Sequence, residues 1–243
     1  MTRRKFGAAC AGLAGFAARR GLAQTGQNQL TDAERRDGWL PLFDGSTTNG
    51  WVEITGKPFP SNCWTIEDGC LKALVRLDGF QDIRTVDTFR SFDLRFDWKL
   101  LERGNSGVKY KIQKVDEWVN AEGRQARARG LEYQLADDKD PDAASDPRRV
   151  AGSLYSLMAP SPRVPPRIGE FNESRIVVSG KHAEHWLNGQ KVVSFETDAP
   201  EVEKLLRSNM PANDHGPVHD EGPISLQNHS SETWFRNVRI RRL

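Results

Sequence analysis

The sequence predicts an all-β chain, an antiparallel sandwich or jelly roll with one short helix. Short stretches of alternating apolar and polar residues recur along most of its length. Gly-, Asn- and Asp-rich turns separate them at short intervals, and only one segment has a convincing helical signature. The clearest alternation is at 93–100, where Leu94, Phe96, Trp98 and Leu100 share a face. Asn188-Gly189 suits a type I′ turn and is the strongest hairpin signal; Asp68-Gly69 is a second.

A polar lead-in at 24–37 has helical character around 31–36. The globular part opens at Gly38-Trp39 and reaches turns at Asp44-Gly45 and Asn49-Gly50. Strands are expected at 64–66, 70–75, 92–100, 107–112, 131–135, 153–157, 172–179, 182–187, 190–195, 224–229 and 233–241. The helix is expected at 199–206, capped by Asp198 with Pro200 and Glu201 in its first turn. Three long loops are expected at 114–130, 137–149 and 209–221. One domain, 38–243, accounts for all of these elements.

Size and charge narrow the function classes. The chain has 243 residues, 37% hydrophobic and 28% charged, enough for a core without metal or disulfide staples. A net charge of +2 from 35 basic and 33 acidic residues implies no polyanionic partner. The basic cluster Arg124, Arg127 and Arg129 is short and interrupted, so it reads as a solvated loop and no nucleic acid partner is expected. Arg3-Arg4 followed by a short small-residue run at 7–18 reads as a twin-arginine export signal over 1–23, implying a periplasmic or secreted protein. No stretch is long and apolar enough for an integral membrane span. Cys63 and Cys70 flank the Asp68-Gly69 turn. At roughly 3.3 Å per residue they lie too far apart along the hairpin for a disulfide, so both are expected as thiols.

The stretch Ile224-Ser225-Leu226-Gln227-Asn228-His229 is the focus of candidate chemistry. As a strand it turns Ile224 and Leu226 one way, and Ser225, Gln227 and His229 the other. Glu132 and Gln134 share a face in the same manner, opposite Leu131, Tyr133 and Leu135. Asn105, Gly107 and Lys109 alternate with Val108 and Tyr110, and Gly107 leaves room for close approach to the backbone. Tyr155 adds a hydroxyl beside Gly152. Polar residues outside a sandwich are ordinarily just solvated; convergence of several strands on one face is what makes a site.

Other chemistries fit less well. His215 and His219, flanked by Asp214 and Asp220, leave a divalent metal open, but loop spacing fixes no ligand geometry. There is no nucleophile-elbow motif or phosphate-cradling glycine loop. Retaining glycosidases need two carboxylates roughly 5–5.5 Å apart, whereas Glu132 has an amide, Gln134, as its same-face neighbour.

Eight motifs in order resemble those of the 3-keto-disaccharide hydrolase family, also described as 3-keto-glucoside 1,2-lyase/3-keto-2-hydroxy-glucal hydratase. They are Leu42-Phe43-Asp44-Gly45, Gly50-Trp51, Asn105-Ser106-Gly107, Glu132-Tyr133-Gln134, Gly152-Ser153-Leu154-Tyr155, His185-Trp186-Leu187-Asn188-Gly189, Ile224 to His229, and Phe235-Arg236-Asn237. The resemblance covers 38–243 and implies a concanavalin A-like jelly-roll β-sandwich acting on an oxidised glycoside. The chain departs from the pattern at Asn228, where many relatives carry Asp; Lys109 stands where some carry Arg. The implied chemistry removes the acidic C2 proton beside a C3 ketone and expels the C1 oxygen. Water then adds back to give the free 3-keto sugar. His229 or Glu132 is then the base, Lys109 or a metal the enolate stabiliser, and Tyr155 or the second of His229 and Glu132 the acid. Asn105, Gln134 and Gln227 orient hydroxyls. The rival reading is a non-catalytic, lectin-like carbohydrate-binding module.

Overall fold

A computed structural model describes residues 26–76 and 79–243; the expected export signal lies outside them. Fourteen strands are present among them: β1 (Trp39–Pro41), β2 (Trp51–Glu53), β3 (Trp64–Glu67), β4 (Cys70–Ala73), β5 (Gly79–Gln81), β6 (Ile83–Thr85), β7 (Phe92–Leu100), β8 (Asn105–Asn120), β9 (Gly123–Ala136), β10 (Asn172–Ser179), β11 (His182–Leu187), β12 (Gln190–Glu196), β13 (Ser225–Leu226) and β14 (Thr233–Arg242). They form two sheets of a jelly-roll sandwich. One runs β12-β11-β10-β7-β14-β4-β3 with β1 added on β14; the other runs β2-β6-β13-β8-β9-β5.

The alternation predicted at 93–100 places Leu94, Phe96, Trp98 and Leu100 in the core. From the second sheet Val108, Tyr110, Leu131, Tyr133, Leu135 and Leu226 face them. Two tyrosine hydroxyls buried between the sheets are hydrogen-bonded across the interface. The Tyr110 hydroxyl meets His185 Nε2 at 2.8 Å, and His185 Nδ1 faces the Gly152 carbonyl at 3.1 Å. The Tyr133 hydroxyl meets Ser174 Oγ, also at 2.8 Å, which accepts from Trp98 Nε1. Cys63 and Cys70 form no disulfide with each other: the buried Cys63 thiol donates to Gln81 Oε1 at 3.3 Å, and Cys70 pairs in register with Glu67 across the Asp68-Gly69 turn.

Several expected elements differ. The stretch 114–130 is no loop: β8 and β9 continue through it as a long hairpin. A bulge between Tyr110 and Lys114 shifts their register, with Lys111 at φ +47°. Gly130 is required there, because a Cβ would come within 2.6 Å of the Tyr110 carbonyl oxygen. The stretch 153–157 is a turn, with positive φ at Gly152 and Ser156, although Gly152 and Tyr155 still donate backbone hydrogen bonds to Gln134 and Glu132. Among the described residues there are three short α-helices: α1 (Asp32–Arg36) with a Thr31 capping box, α2 (Pro141–Ser145) inside the expected loop 137–149, and α3 (Pro200–Ser208). Ala199, not Asp198, precedes α3 as its cap residue and gives no side-chain cap; the Asp198 carboxylate pairs with Lys181 instead. No helix among the described residues is long and apolar enough to cross a membrane.

Candidate functional site

The outer face of the β13-β8-β9 segment forms the floor of a cleft of about 460 Å³, within the range of small-molecule sites. All seven candidate residues line it: Asn105 and Lys109 from β8, Glu132 and Gln134 from β9, Gln227 and His229 after β13, and Tyr155 from the turn beside β9. The focal strand and the Glu132 strand are not neighbours, because β8 lies between them: Lys109 is in register with Glu132 on one side and Ser225 on the other. Hydrogen bonding to Gly107 carries the focal chain past its short strand, through the Gln227 N–H at 2.9 Å. What approaches Gly107 is Glu132 itself: a Cβ at 107 would sit 2.2 Å from Glu132 Oε1.

Asp82, in the one-residue gap between β5 and β6, organises the floor from beneath. It is fully buried and accepts from Lys109 Nζ at 3.3 Å, the Ala128 N–H at 3.1 Å and the Asn228 N–H at 3.2 Å. Lys109 Nζ also reaches the Ala128 carbonyl at 3.3 Å and lies 3.8 Å from Glu132 Oε2. Burial pushes the Glu132 carboxyl above its ordinary value, against the opposing pull of Lys109. Burial also lowers His229, and the positive charges of Arg127 and Lys109 lower it further. The floor thus pairs a carboxyl biased toward holding its proton with an imidazole biased toward losing one.

Polar side chains around this pair are oriented from behind. Asp140, the cap residue of α2, accepts from Asn105 Nδ2 at 3.0 Å, and Asn105 Oδ1 accepts from Gln134 Nε2 at 3.2 Å. Gln134 Oε1 and Gln227 Oε1 are left buried without a donor, the arrangement that receives a ligand hydroxyl. The Tyr155 hydroxyl donates to Asp142 Oδ2 at 2.7 Å, and burial together with that carboxylate pushes its pKa up to about 12.

Asn228 faces away from the cleft. Its Nδ2 donates to the Cys63 and Leu74 carbonyls at 2.9 and 3.2 Å, and its Oδ1 accepts from the Ser230 N–H. A carboxylate has no proton to give those carbonyls, so amide chemistry is what this local structure requires. The loop histidines take no part. His215 lies in a separate depression, and Asp220 is paired with Lys111 at 2.9 Å. Among the described residues, no group of three His, Cys, Asp or Glu side chains is arranged to hold a metal ion.

The walls bring residues that are not among the candidates: Trp118, Arg127 and Asn209 fall in expected loops, and Leu205 in the expected helix. Trp118 and Arg127 come from the β8–β9 hairpin, and Leu205 and Asn209 from α3 and its end. Ala126 and Ala128 are buried and alternate with Arg127 and Arg129, a period of two that could have exposed the strand.

Fold and cleft define a jelly-roll protein with a preformed polar site on one sheet, sized for a small polyhydroxylated ligand. The chain belongs to the family described as 3-keto-alpha-glucoside-1,2-lyase-like domain, which it matches over residues 38–241. It is 32% identical over 228 residues to a 3-keto-disaccharide hydrolase of Bacteroides thetaiotaomicron, covering 84% of this chain and 78% of that one. Two crystal structures of candidate glycosyl hydrolases from Parabacteroides distasonis share its fold. One has a TM-score of 0.74 at 28% identity, covering 90% of this chain and all of the other. The second has a TM-score of 0.61 at 26% identity, covering 84% and 99%.

Proposed function

We propose that this carbohydrate-processing enzyme cleaves 3-keto-glycosides by removing the C2 proton and eliminating the C1 oxygen, with hydration of the resulting enone as a second step. The observation that carries the reading is the Glu132–His229 pair, two proton-transfer groups on one cleft floor with opposite protonation biases. His229, its pKa held below the ordinary ~6.5, is neutral near pH 7 and takes the C2 proton as base. Glu132, its pKa raised, gives a proton to the departing glycosidic oxygen. Gln134 and Gln227 accept sugar hydroxyls through their vacant oxygens, and Asn105 holds Gln134 in place. Tyr155 keeps its proton and positions Asp142 at the wall. Trp118, 38% exposed in the cleft, offers a flat face to a sugar ring. An oxidised sugar suits the site in that the same-face neighbour of Glu132 on its strand is an amide, Gln134, rather than the second carboxylate that direct displacement uses. Export to the periplasm through the segment 1–23 is part of the same proposal.

Incubation with p-nitrophenyl 3-keto-glucoside tests it. Nitrophenol release with a transient enone absorbance is expected, and His229→Ala should slow release by about 10²-fold or more in a folded protein. Neither product from the wild-type chain, with divalent ions added, refutes the proposal; binding without turnover would favour the lectin-like alternative.

A further inference from the structure

Three cationic side chains line the cleft, and two have their charge matched. Lys109 is held by the buried Asp82 at 3.3 Å, and Arg129 gives its Nε to Asp116 at 2.7 Å. Arg127 differs. Among the described residues no carboxylate lies within ion-pair distance of it, and its bond through Nη2 to Gln125 Oε1 is long, at 3.4 Å. Its Nε is buried without an acceptor. Leaving donors of a half-buried guanidinium vacant costs free energy, and an oxyanion arriving in the cleft removes that cost. Arg127 is also close enough to Glu132 and His229 for its charge to weigh on both.

We propose that Arg127 is a further catalytic residue, holding the 3-oxo oxygen of the substrate and carrying the enolate charge that develops there. This rests on the elimination described above. As His229 takes the C2 proton, the C2–H pair becomes the C2=C3 bond and the carbonyl π pair moves onto O3. When the enolate collapses, the C3=O bond re-forms and the C2=C3 pair becomes C1=C2. The C1–O bond breaks, and the leaving oxygen keeps its pair and takes the proton of Glu132. Electrons and protons balance with no external oxidant or reductant. A planar fork of fixed N–H donors matches a developing oxyanion and needs no reorganisation as charge appears. Lys109, already neutralised by Asp82, is left to hold Glu132 and the floor together.

The test uses the full chain and p-nitrophenyl 3-keto-glucoside, with Arg127→Ala and Arg127→Lys each checked for native melting. Arg127→Ala should lower kcat by about 10²- to 10³-fold, and guanidinium ion added to the assay should restore part of that rate without accelerating the wild type. Arg127→Lys, which keeps charge but loses the fork, should fall between them. In a Glu132→Gln background, calorimetry should show tighter binding of the 3-keto-glucoside than of the unoxidised glucoside, and Arg127→Ala should erase the difference. Wild-type turnover with a folded Arg127→Ala variant within about threefold of it overturns the role of Arg127 alone. A wild type without turnover sinks the elimination and this inference together.

Discussion

Glu132 occupies the space that any side chain at position 107 would fill. Its Oε1 would lie 2.2 Å from a Cβ there, yet that atom is the end of a flexible side chain, so it can swing aside at little cost to the fold. Gly107→Ala should therefore keep the melting temperature within a few degrees of wild type while lowering kcat by about tenfold or more, through displacement of the carboxyl. A fully active variant would show that the position of Glu132 is not critical. Lys109, Glu132 and Gln134 were legible in sequence because they alternate on regular strands, whose period-two faces are set by backbone geometry; Gln227 and His229 also reach the cleft, although the strand expected at 224–229 is regular only over Ser225–Leu226. Asp82 was not. It joins two three-residue strands too short to show any period, and its function is to accept from groups brought together only by the folded sheet.

The β8–β9 hairpin marks where reading by period breaks down. A bulge on β8 and a close approach at Gly130 put the two halves of the hairpin out of phase, so one alternation cannot be followed from 107 to 120. Charged residues at 114–130 then resemble a solvated loop. In the structure the same charges are consumed in pairs along the arm: Lys114 and Arg129 with Asp116, Arg124 with Glu117. Arg127 is the exception that faces the cleft without such a partner. The turn at 153–157 shows the opposite error. Its apolar residues suggest a strand, but left-handed conformations at Gly152 and Ser156 curl it, and that curl aims Tyr155 at the cleft.

At the scale of the whole molecule, two sheets are joined by an apolar core and by buried polar contacts between them. His185 bridges from β11 to Tyr110 on β8, and burial depresses its pKa to about 4. The unfolded chain takes up that proton near pH ~6.5. The contribution of neutral His185 is therefore complete above about pH 6.5 and is lost as pH falls toward 4, on the order of 3 kcal/mol in total. Urea melts between pH 7.5 and 4 should show this loss, and His185→Gln should flatten the slope while lowering stability at neutral pH; an unchanged slope would remove His185 as its source. The jelly roll itself was legible because long central strands such as 92–100 alternate without interruption. The family was legible because its motifs fall on turns and on the cleft floor, where geometry restricts the residue types allowed. The order of strands across the sheet was not, since β8 pairs with its hairpin neighbour β9 on one side and with the distant β13 on the other. The central claim is that the C2 proton leaves before the glycosidic bond is lost. Rates with 3-keto-glucoside deuterated at C2 test it most directly. Elimination predicts that deuterium slows aglycone release severalfold and that the label is lost to solvent in the product; release at an unchanged rate with deuterium retained at C2 would contradict it.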